Sequence, residues 1–340
     1  MKLGLTSLVA ITQGENVPST RFRWTQYAED LESSGFEVSE LPSYFGAYPP
    51  ASHTRRPTWL AATMAESLAR TLRSNRYDLR FLQRNLTATL CTWESLLRKP
   101  FIFDVDDAIF LGARGASANR IARSASLIIC GNNFLAEHFS LHGRVAVLPT
   151  AVDTLRFVPR VGPVPAKQVI GWSGSSSGLK YLYGIEPAIL SLLLKHPDVV
   201  LKVVSDRPPV FKTLPADRVD YEPWSPAREV SVLQEFAVGI MPLEDDLWAR
   251  GKCSFKMLTY LAVGLPVVVS PVGMNLEILA HGPCGFAATT NDDWVDAIST
   301  LLNEPALAAQ LGRSGRQIVE ARYARKVVAP QLAQLLKEEI

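Results

Sequence analysis

Short apolar runs alternate with longer amphipathic segments along almost the whole of this 340-residue chain. Such alternation is typical of βα units, whose parallel strands form a sheet covered by helices on both faces. The fold class that we predict is therefore α/β, with doubly wound, Rossmann-like sheets. The predicted strands lie near Leu3–Ile11, Leu79–Gln83, Phe101–Val105, Leu127–Cys130, Val145–Leu148, from Val169 onwards, Val199–Val204, Val238–Met241 and Pro266–Ser270. The predicted helices are Arg21–Ser34, Trp59–Asn75, Thr89–Arg98, Asn133–Leu141, Leu179–Lys195, Ala227–Phe236, Phe255–Val263, Trp294–Leu302, Ala306–Tyr323 and Val327–Ile340.

The length of the chain suits two domains, because a single core usually serves about 150 residues. A proline-rich segment without amphipathic period, 157–165, is typical of a linker between compact units. We therefore predict one Rossmann-like domain over residues 1–157 and a second over 166–323. The last segment, 324–340, is predicted to be a helix that packs back on the first domain.

Composition excludes several classes of protein. Hydrophobic residues make up 47% and charged residues 20%, which predicts a globular chain. A net charge of +2 and the absence of a basic stripe argue against a nucleic-acid partner. No run approaches the roughly 18 to 20 apolar residues of a membrane span, and the opening residues are interpreted as a strand rather than a signal peptide. The four cysteines form no CxxC pair, which indicates neither a zinc site nor disulfides and favours a cytoplasmic location.

One segment, 239–267, combines a strand, a polar loop, a helix and another strand. The helix is expected to begin at Ser254, where backbone N–H groups attract anions. Arg250, Lys252 and Lys256 add positive charge at that end, which suits a diphosphate. Lys252, Lys256 and Thr259 are expected to share one helical face. Alternatively, the two lysines are only solvated charges of the first helical turn.

This segment resembles the donor-site region of GT-B-fold retaining glycosyltransferases of the group-1, family-4 type. The similarity extends to other segments in the expected order, namely 170–182, 270–277, 103–110, 130–137 and 148–153. The resemblance implies two Rossmann-like domains that face each other across a cleft. It also implies a nucleotide-diphosphate-sugar donor held by the second domain and a glycan or lipid-linked acceptor held mainly by the first. Transfer with retained anomeric configuration, without metal or cofactor, in bacterial polysaccharide biosynthesis is the implied activity.

The resemblance also implies roles for individual residues. Lys180, with Arg250, Lys252 or Lys256, is expected at the donor diphosphate, where positive charge would stabilise the leaving group. Backbone and hydroxyl groups of the glycine-rich turn and of the helix start would contact the phosphates; these residues are Ser173, Gly174, Ser175 and Ser254. Thr259 is expected near the ribose. Glu277 would accept hydrogen bonds from ribose or sugar hydroxyls, or alternatively is a plain helix-start carboxylate.

The chain departs from the family pattern at two positions. Family members usually carry two glutamates eight residues apart, where this chain has Gly251 and Thr259. The departure motivates a second hypothesis, a catalytically weakened homologue that binds nucleotide sugar or glycan without turnover. A third, a sugar-nucleotide epimerase on the same architecture, would need facing acid and base carboxylates that the sequence does not identify.

Three acids follow a predicted strand of the first domain, Asp104, Asp106 and Asp107. They are expected at the carboxyl ends of the strands, where open α/β sheets meet ligands. Asp106 and Asp107 are predicted to act in catalysis by binding the acceptor hydroxyl, with helix capping or a magnesium site as the alternatives. Arg21 is either in the cleft or exposed, and Ser19 or Thr20 is the expected helix cap.

Two further patterns have both a functional and a plain interpretation. His138 and His142 have the spacing of a helical metal pair but lack a third ligand, so we interpret them as surface residues. The segment 55–73 joins basic residues to apolar ones at helical spacing. It predicts either peripheral contact with the inner face of the membrane or, more simply, a helix that faces its own core.

Overall fold

The computed structural model describes residues 5–14, 17–46, 49–87, 90, 92–112, 115–162 and 168–340. Its contacts divide the chain into two compact units. The first unit comprises Met1–Ala151, Arg250–Cys253 and Arg325–Ile340, and the second comprises Val152–Ala249 and Ser254–Ala324. The last part of the predicted linker, 163–165, lies outside the described residues.

The first unit is built on a parallel six-stranded sheet with the order β2-β1-β3-β4-β5-β6. Its strands are β1 (Thr6–Thr12), β2 (Phe36–Pro42), β3 (Leu79–Gln83), β4 (Phe101–Val105), β5 (Leu127–Cys130) and β6 (Val145–Val147). Its first five α-helices are α1 (Pro18–Arg23), α2 (Ala28–Ser33), α3 (Arg56–Ser74), α4 (Ala116–Ser124) and α5 (Asn133–Ser140). All residues of β3, β4 and β5 are buried, which explains why these strands are mostly apolar in the sequence.

The second unit contains another parallel six-stranded sheet, with the order β12-β11-β10-β7-β8-β9. Its strands are β7 (Gln168–Ser173), β8 (Val199–Ser205), β9 (Val219–Pro223), β10 (Val238–Met241), β11 (Val267–Val269) and β12 (Gly285–Ala287). Its helices are α6 (Leu179–Gly184), α7 (Glu186–Lys195), α8 (Glu229–Leu233), α9 (Leu247–Arg250), α10 (Phe255–Ala262), α11 (Met274–Leu279), α12 (Asn291–Asn303) and α13 (Pro305–Arg322). The α/β class with two Rossmann-like halves is therefore confirmed.

The last helix, α14 (Arg325–Lys337), belongs to the first unit. Its buried Val328, Leu332 and Leu336 join the core that contains Leu8 and Leu31. Burying each such side chain contributes about 1.5–3 kcal/mol relative to leaving it in water. A buried apolar face therefore holds α14 on the first unit.

Three of the predicted helices were wrong. The helix predicted over 21–34 is two helices, α1 and α2, and the chain leaves the helical conformation between them at Trp24. The helix predicted over 89–98 is absent among the described residues of that segment, where a single 3-10 turn spans Glu94–Leu96. The helix predicted over 179–195 is two helices, α6 and α7. They part at Ile185, whose backbone leaves the helical region immediately before Glu186 and Pro187.

Among the described residues, no helix is long and apolar enough to cross a membrane. Cys130, Cys253 and Cys284 are buried free thiols, and Cys91 lies outside the described residues.

Candidate functional site

The sheet of the second unit has a topological switch point between β7 and β10. Strands that follow β7 in the chain first extend the sheet on one side, through β8 and β9, and then on the other, through β10. Ligands of open α/β sheets bind in the crevice outside the carboxyl ends of the strands at such a point. The turn after β7 and the segment after β10 are therefore the first places to look for a ligand site.

The turn after β7 is held by hydrogen bonds from the protein itself. The N–H of Ser173 donates to the hydroxyl of buried Tyr260 at 2.8 Å, and that of Gly174 donates to the carbonyl of Val204 at 2.9 Å. The Asp206 carboxylate accepts from the N–H and hydroxyl of Ser176 at 2.5 and 2.9 Å. The N–H groups of Ser173 and Gly174 are thus engaged within the protein rather than directed at a ligand.

Lys256, in the first turn of α10, lies against this turn. A Cβ on Gly174 would stand 2.2 Å from Cε and 2.7 Å from Nζ of Lys256. The ammonium group also lies 4.7 Å from the ring centroid of Trp172, close enough for a cation–π interaction. Lys256 is therefore packed at the carboxyl end of β7, and the interpretation as a merely solvated charge is wrong.

The start of α10 has an unusual backbone. Ser254 precedes the helix in the left-handed conformation, with φ 49° and ψ 28°. Residues other than glycine rarely adopt this conformation, and they do so mostly where surrounding contacts impose it. The buried Ser254 hydroxyl has no hydrogen-bond partner among the described residues. It is thus a covered hydrogen-bonding group without a partner in the described protein, at the helix start.

The other predicted donor residues of the second unit are less tightly held. Lys180 is exposed; desolvation alone would lower its pKa, but Tyr181, Asp246 and Glu244 raise it. Since Glu244 and Asp246 follow β10, Lys180 lies on the switch-point side of α6. The hydroxyl of Ser175 bonds that of Ser177 at 2.8 Å.

Two further predicted donor residues, Thr259 and Glu277, interact with residues of the second unit. The Thr259 hydroxyl donates to the Lys256 carbonyl at 2.8 Å within α10. Glu277, in α11, interacts electrostatically with His281 and Tyr323.

The three acids of the first unit lie where the sequence predicts, at the end of β4, and each has an arginine partner. Arg84 forms ion pairs with Asp106 through Nε and with Asp107 through Nη2, the latter at 2.7 Å. Arg84 itself has φ 54°, and its N–H donates to the Asp104 carbonyl at 2.9 Å. One guanidinium thus holds two carboxylates in a fixed arrangement.

The two carboxylates paired with Arg84 have different acidities. Burial alone raises the pKa of a carboxyl, but the Arg84 charge outweighs it at Asp106 and lowers that pKa. At Asp107, burial and the charge of Asp106 outweigh Arg84 and the nearby Lys252, so that pKa is raised. Asp107 is therefore the weaker acid of the pair.

Asp104 is a structural residue. It is fully buried and forms an ion pair with buried Arg23, whose Nη1 also donates to the Leu148 carbonyl at 2.7 Å. Neither the Asp104 carboxylate nor the Arg23 guanidinium is accessible. The expectation that all three acids face a ligand is therefore wrong for Asp104.

The segment Arg250–Cys253 is attached to the first unit through Asn132 and Asp106. The Asn132 side chain caps α5 through Leu135 N–H and donates to the carbonyls of Arg250 and Lys252 at 3.2 and 3.1 Å. The buried Cys253 thiol donates to the Asp106 carbonyl at 3.1 Å. Lys252 therefore lies before α10, which begins at Phe255, so the prediction that it shares a helical face with Lys256 and Thr259 was wrong.

Close packing accounts for the glycine at position 251. A Cβ there would stand 2.6 Å from the Cβ and 2.9 Å from the N of Ala108. As packed, this position accommodates no side chain, and a glutamate would displace the neighbouring backbone.

The remaining candidates are explained by local packing. His138 stacks on Phe110 with ring centroids 3.6 Å apart and bonds Asn119 through Nε2 at 2.9 Å. No group of three or more potential metal-ligating side chains occurs in the part of the chain that the structure describes.

Arg21 is half-buried, with its guanidinium over the ring of Phe22. Helix α1 begins after Val17 without a side-chain cap, so the expected caps were wrong: Thr20 instead donates to Gln83 at 2.8 Å. Glu15 and Asn16 of the preceding loop lie outside the described residues.

Sequence reasoning missed two residues that organise this site, Arg84 and Asn132. Arg84 directly follows β3, so its position at the carboxyl edge could have been read from the predicted strand. Asn132 precedes α5 as an N-cap, a signal available in the sequence, but its bonds to Arg250 and Lys252 are long-range and leave no local pattern.

Comparisons with known proteins bear on the fold of the chain and on the family of residues 168–304. Residues 168–304 match the family model described as "Glycosyl transferases group 1". No curated protein matches the chain in sequence. Among solved structures, HepE from Anabaena in complex with UDP-glucose is 15% identical with a TM-score of 0.73, over 97% of this chain and 99% of that one. Sucrose-phosphate synthase from Thermosynechococcus elongatus is 15% identical with a TM-score of 0.70, over 98% of both chains. A UDP-forming trehalose-phosphate synthase from Burkholderia xenovorans is 12% identical with a TM-score of 0.67, over 98% and 99%.

At these identities the solved structures establish the fold, while the family model covers the region with the switch point and α10. The resemblance to GT-B-fold group 1 glycosyltransferases is thus confirmed, by the family model for residues 168–304 and by the solved structures for the fold of the chain.

Proposed function

We propose that this chain is a retaining, metal-independent glycosyltransferase of the family-4 type. It moves a sugar from a nucleotide-diphosphate-sugar to a glycan or lipid-linked acceptor, in bacterial polysaccharide biosynthesis. The observation that carries the proposal is the packing of Lys256 against Gly174 at the switch point of the second unit. A fixed ammonium group beside the N-terminus of α10 is the arrangement that a diphosphate requires.

The donor diphosphate is the proposed ligand of the second unit. Lys256 and Lys180 supply positive charge, and the Ser254 hydroxyl supplies a hydrogen bond that nothing in the described protein satisfies. When the bond between the anomeric carbon and the diphosphate oxygen breaks, negative charge accumulates on the departing diphosphate. Lysines already in place stabilise that charge without reorganisation, which lowers the barrier.

The acceptor is the proposed ligand of the first unit. Asp106 and Asp107 accept hydrogen bonds from its hydroxyl groups, and Arg84 holds the two carboxylates in place by pairing with both. Arg250 and Lys252 add positive charge to this unit. The charge of Lys252 acts to lower the pKa of Asp107.

Solved neighbours suggest which donor to test first. HepE was solved with UDP and glucose and with UDP-glucose, and the trehalose-phosphate synthase is UDP-forming. A UDP-sugar is therefore the first donor to try, before GDP- and ADP-sugars.

Contact with the cytoplasmic face of a membrane is proposed at one end of α3. Tyr44, Phe45 and Leu60 are 86%, 51% and 42% exposed there, and Trp59 donates from Nε1 to the Phe45 carbonyl at 2.9 Å. We call Tyr44, Phe45, Trp59 and Leu60 the aromatic patch. Exposed arginines at the start of the same helix would attract anionic lipid.

A binding homologue without turnover is the second candidate. Gly251 leaves no space for the first family glutamate, and Thr259 offers a hydroxyl, already bonded to the Lys256 carbonyl, in place of the second.

The test is incubation of the chain with UDP-, GDP- and ADP-sugars and candidate acceptors. The readouts are the release of nucleoside diphosphate and the anomeric configuration of the product. Acceptor-dependent release with retention supports the transferase, and binding without release under every acceptor supports the homologue.

A further inference from the structure

The C-terminus of α10 is completed by a side chain from another helix. The last four backbone carbonyls of a helix need partners from beyond its final turn. Three of those in α10 accept hydrogen bonds from the backbone of the residues that follow, at 3.2, 3.0 and 2.9 Å; they belong to Thr259, Tyr260 and Leu261. The fourth, Ala262, accepts from Nη1 of Arg316 in α13. Arg316 therefore supplies the partner that the backbone does not.

The Arg316 guanidinium makes three further contacts within the second unit. Its Nη1 also donates to the Phe157 carbonyl at 2.7 Å, and its Nη2 donates to the Thr154 carbonyl at 3.1 Å. Its Nε forms an ion pair with Glu320, one turn further along α13, at 2.8 Å. Because the guanidinium is a rigid, planar fork of donors, bonds to four groups fix its position.

Two glycines bring α13 close enough for this contact. A Cβ on Gly312 would stand 2.0 Å from the Gly264 carbonyl oxygen, and one on Gly315 would stand 2.5 Å from Cδ2 of Leu261. As packed, neither position accommodates a side chain. Helix α13 therefore lies directly against the end of α10, and Arg316, the residue after Gly315, reaches its last carbonyl.

Helix α10 has a second attachment, at the sheet. The Tyr260 hydroxyl accepts the hydrogen bond from Ser173 N–H at 2.8 Å, at the carboxyl end of β7. One attachment leaves a short helix free to pivot, whereas two attachments fix its direction. Because the eight residues of α10 span only about 12 Å, a shift at Ala262 is carried along the helix to Lys256 in the first turn.

The charge of Arg316 also suits its place at this helix end. A cation is favourable near the C-terminus of a helix, as an anion is near the N-terminus. The last turn of α10 contains no basic residue, so Arg316 brings this charge from α13. Arg316 at one end of α10 and the proposed diphosphate at the other therefore both stabilise the helix dipole.

We propose that Arg316 is a positioning residue for the donor site, which fixes the C-terminus of α10 and thereby holds Lys256 at the carboxyl end of β7. The proposal rests on the proposed function and deepens it, because it extends the donor site to a residue that acts through the helix. Without Arg316, α10 pivots and Lys256 spends less time at the diphosphate. The expected loss is up to the factor of about ten that one charge-assisted hydrogen bond supplies.

Titration calorimetry of the full chain with UDP, GDP and ADP measures this effect. Arg316→Met removes the guanidinium and keeps an unbranched side chain that is compatible with a helix. It should raise the Kd of whichever diphosphate binds about tenfold. Arg316→Lys keeps the charge but not the fork that reaches several carbonyls at once, so its Kd should be intermediate.

Arg218→Met is the matched control in the same unit. Arg218 donates from Nε to the Val199 carbonyl and from Nη2 to the carbonyl of His196, the residue that ends α7, both at 2.9 Å. It therefore completes the end of a helix as Arg316 does, but not of the helix that carries Lys256. Arg218→Met should lower Tm about as much as Arg316→Met and leave the Kd unchanged.

A double-mutant cycle separates positioning from a general loss of stability. If Arg316 acts through Lys256, Arg316→Met should change the Kd less than about twofold in a Lys256→Met background. A merely structural role would weaken binding by the same factor in both backgrounds. Gly315→Ala displaces the same helix end by pressing on Leu261, without removing any charge, and should also raise the Kd.

The results that would overturn this role are distinct from those that would overturn the donor site. Equal Kd rises in Arg316→Met and Arg218→Met, or equal factors in both backgrounds of the cycle, would overturn the role of Arg316. So would a Kd left unchanged by Arg316→Met or, where that variant does not fold, by Gly315→Ala. Binding of none of the three diphosphates by the unsubstituted chain would overturn the donor site and this role together.

Discussion

The Lys256 ammonium group occupies the space that a side chain at Gly174 would fill. The glycine of the turn after β7 therefore leaves room for a lysine of α10 at the carboxyl end of the sheet. The N–H of Gly174 already donates a hydrogen bond to the Val204 carbonyl within the protein. This relationship couples two segments that lie 82 residues apart in the sequence.

Gly174→Ala should weaken donor binding without removing any charge. The added methyl group would stand 2.2 Å from Lys256 Cε, so the lysine has to move away from the turn. We expect the Kd for a nucleoside diphosphate to rise about tenfold, the loss of one charge-assisted hydrogen bond. Titration calorimetry checks this, with Gly184→Ala as the control, since a Cβ at Gly184 meets no atom within 4 Å. Equal affinities in the two variants would contradict the role of Gly174.

Restoring the family glutamates should give opposite results at the two positions. Gly251→Glu would collide with Ala108 and should lower the free energy of unfolding by about 1–3 kcal/mol, without a gain in turnover. Thr259→Glu places a carboxylate where the resemblance expects the ribose, and should tighten donor binding. Chemical denaturation and donor titration of both variants measure these effects. A stable, more active Gly251→Glu variant would show that the packing on Ala108 is not limiting.

Arg84→Lys should move the acidic limb of the pH–activity profile to higher pH. The lysine keeps the charge but cannot pair with both carboxylates. Burial of Asp106 and Asp107 is then less compensated, so the pKa of both should rise above its value in the unsubstituted chain. The profile of kcat/KM for the acceptor is the measurement, and the KM for the donor should change little. An unshifted acidic limb would mean that Arg84 does not control these carboxylates.

Stability of the second unit should decline in acid through Glu186. Burial alone would raise its pKa, but hydrogen bonds from the N–H and hydroxyl of Thr213 and the N–H of Lys212 outweigh it and lower the pKa. The resulting stability is present above the unfolded pKa of about 4.3 and is lost as the pH falls through the lower folded value. Glu186→Gln should reduce stability at pH 7 by about 1 kcal/mol and flatten its dependence below pH 5. Denaturation at several pH values checks both effects, and an unchanged slope in acid would exclude Glu186 as a source.

The aromatic patch should increase binding to anionic vesicles. Tyr44→Ser combined with Leu60→Ser should reduce cosedimentation with phosphatidylglycerol vesicles about tenfold or more, since each residue exposes apolar surface worth over 1 kcal/mol. Leu141→Ser is the control, because Leu141 is 78% exposed but lies elsewhere on the first unit. Equal binding of both proteins would remove the patch as a membrane contact.

The strands of both sheets were largely predictable because buried parallel strands are apolar runs bounded by polar turns. β3, β4, β5 and β10 have the predicted bounds. β2 was missed because all of its residues except Phe36 are partly or fully exposed, so its sequence, FEVSELP, carries no apolar run. β9 and β12 were missed for the same reason, since neither contains a buried residue.

The residues of the candidate site were predictable where a local motif marks them, as at Lys256 or Asp106. Their partners were not, because the contacts depend on tertiary packing. Nothing in the sequence near Gly251 indicates that Ala108 lies against it, and nothing near Lys252 indicates that Asn132 holds its backbone.

Direct titration of UDP-glucose, GDP-mannose and ADP-glucose into the full chain tests the central claim most directly. The account predicts that at least one binds, that Lys256→Met weakens this binding at least tenfold, and that Lys195→Met, at the exposed end of α7, does not. Binding of none of the three, or equal binding by both variants, would contradict the assignment of a nucleotide-sugar site to the second unit.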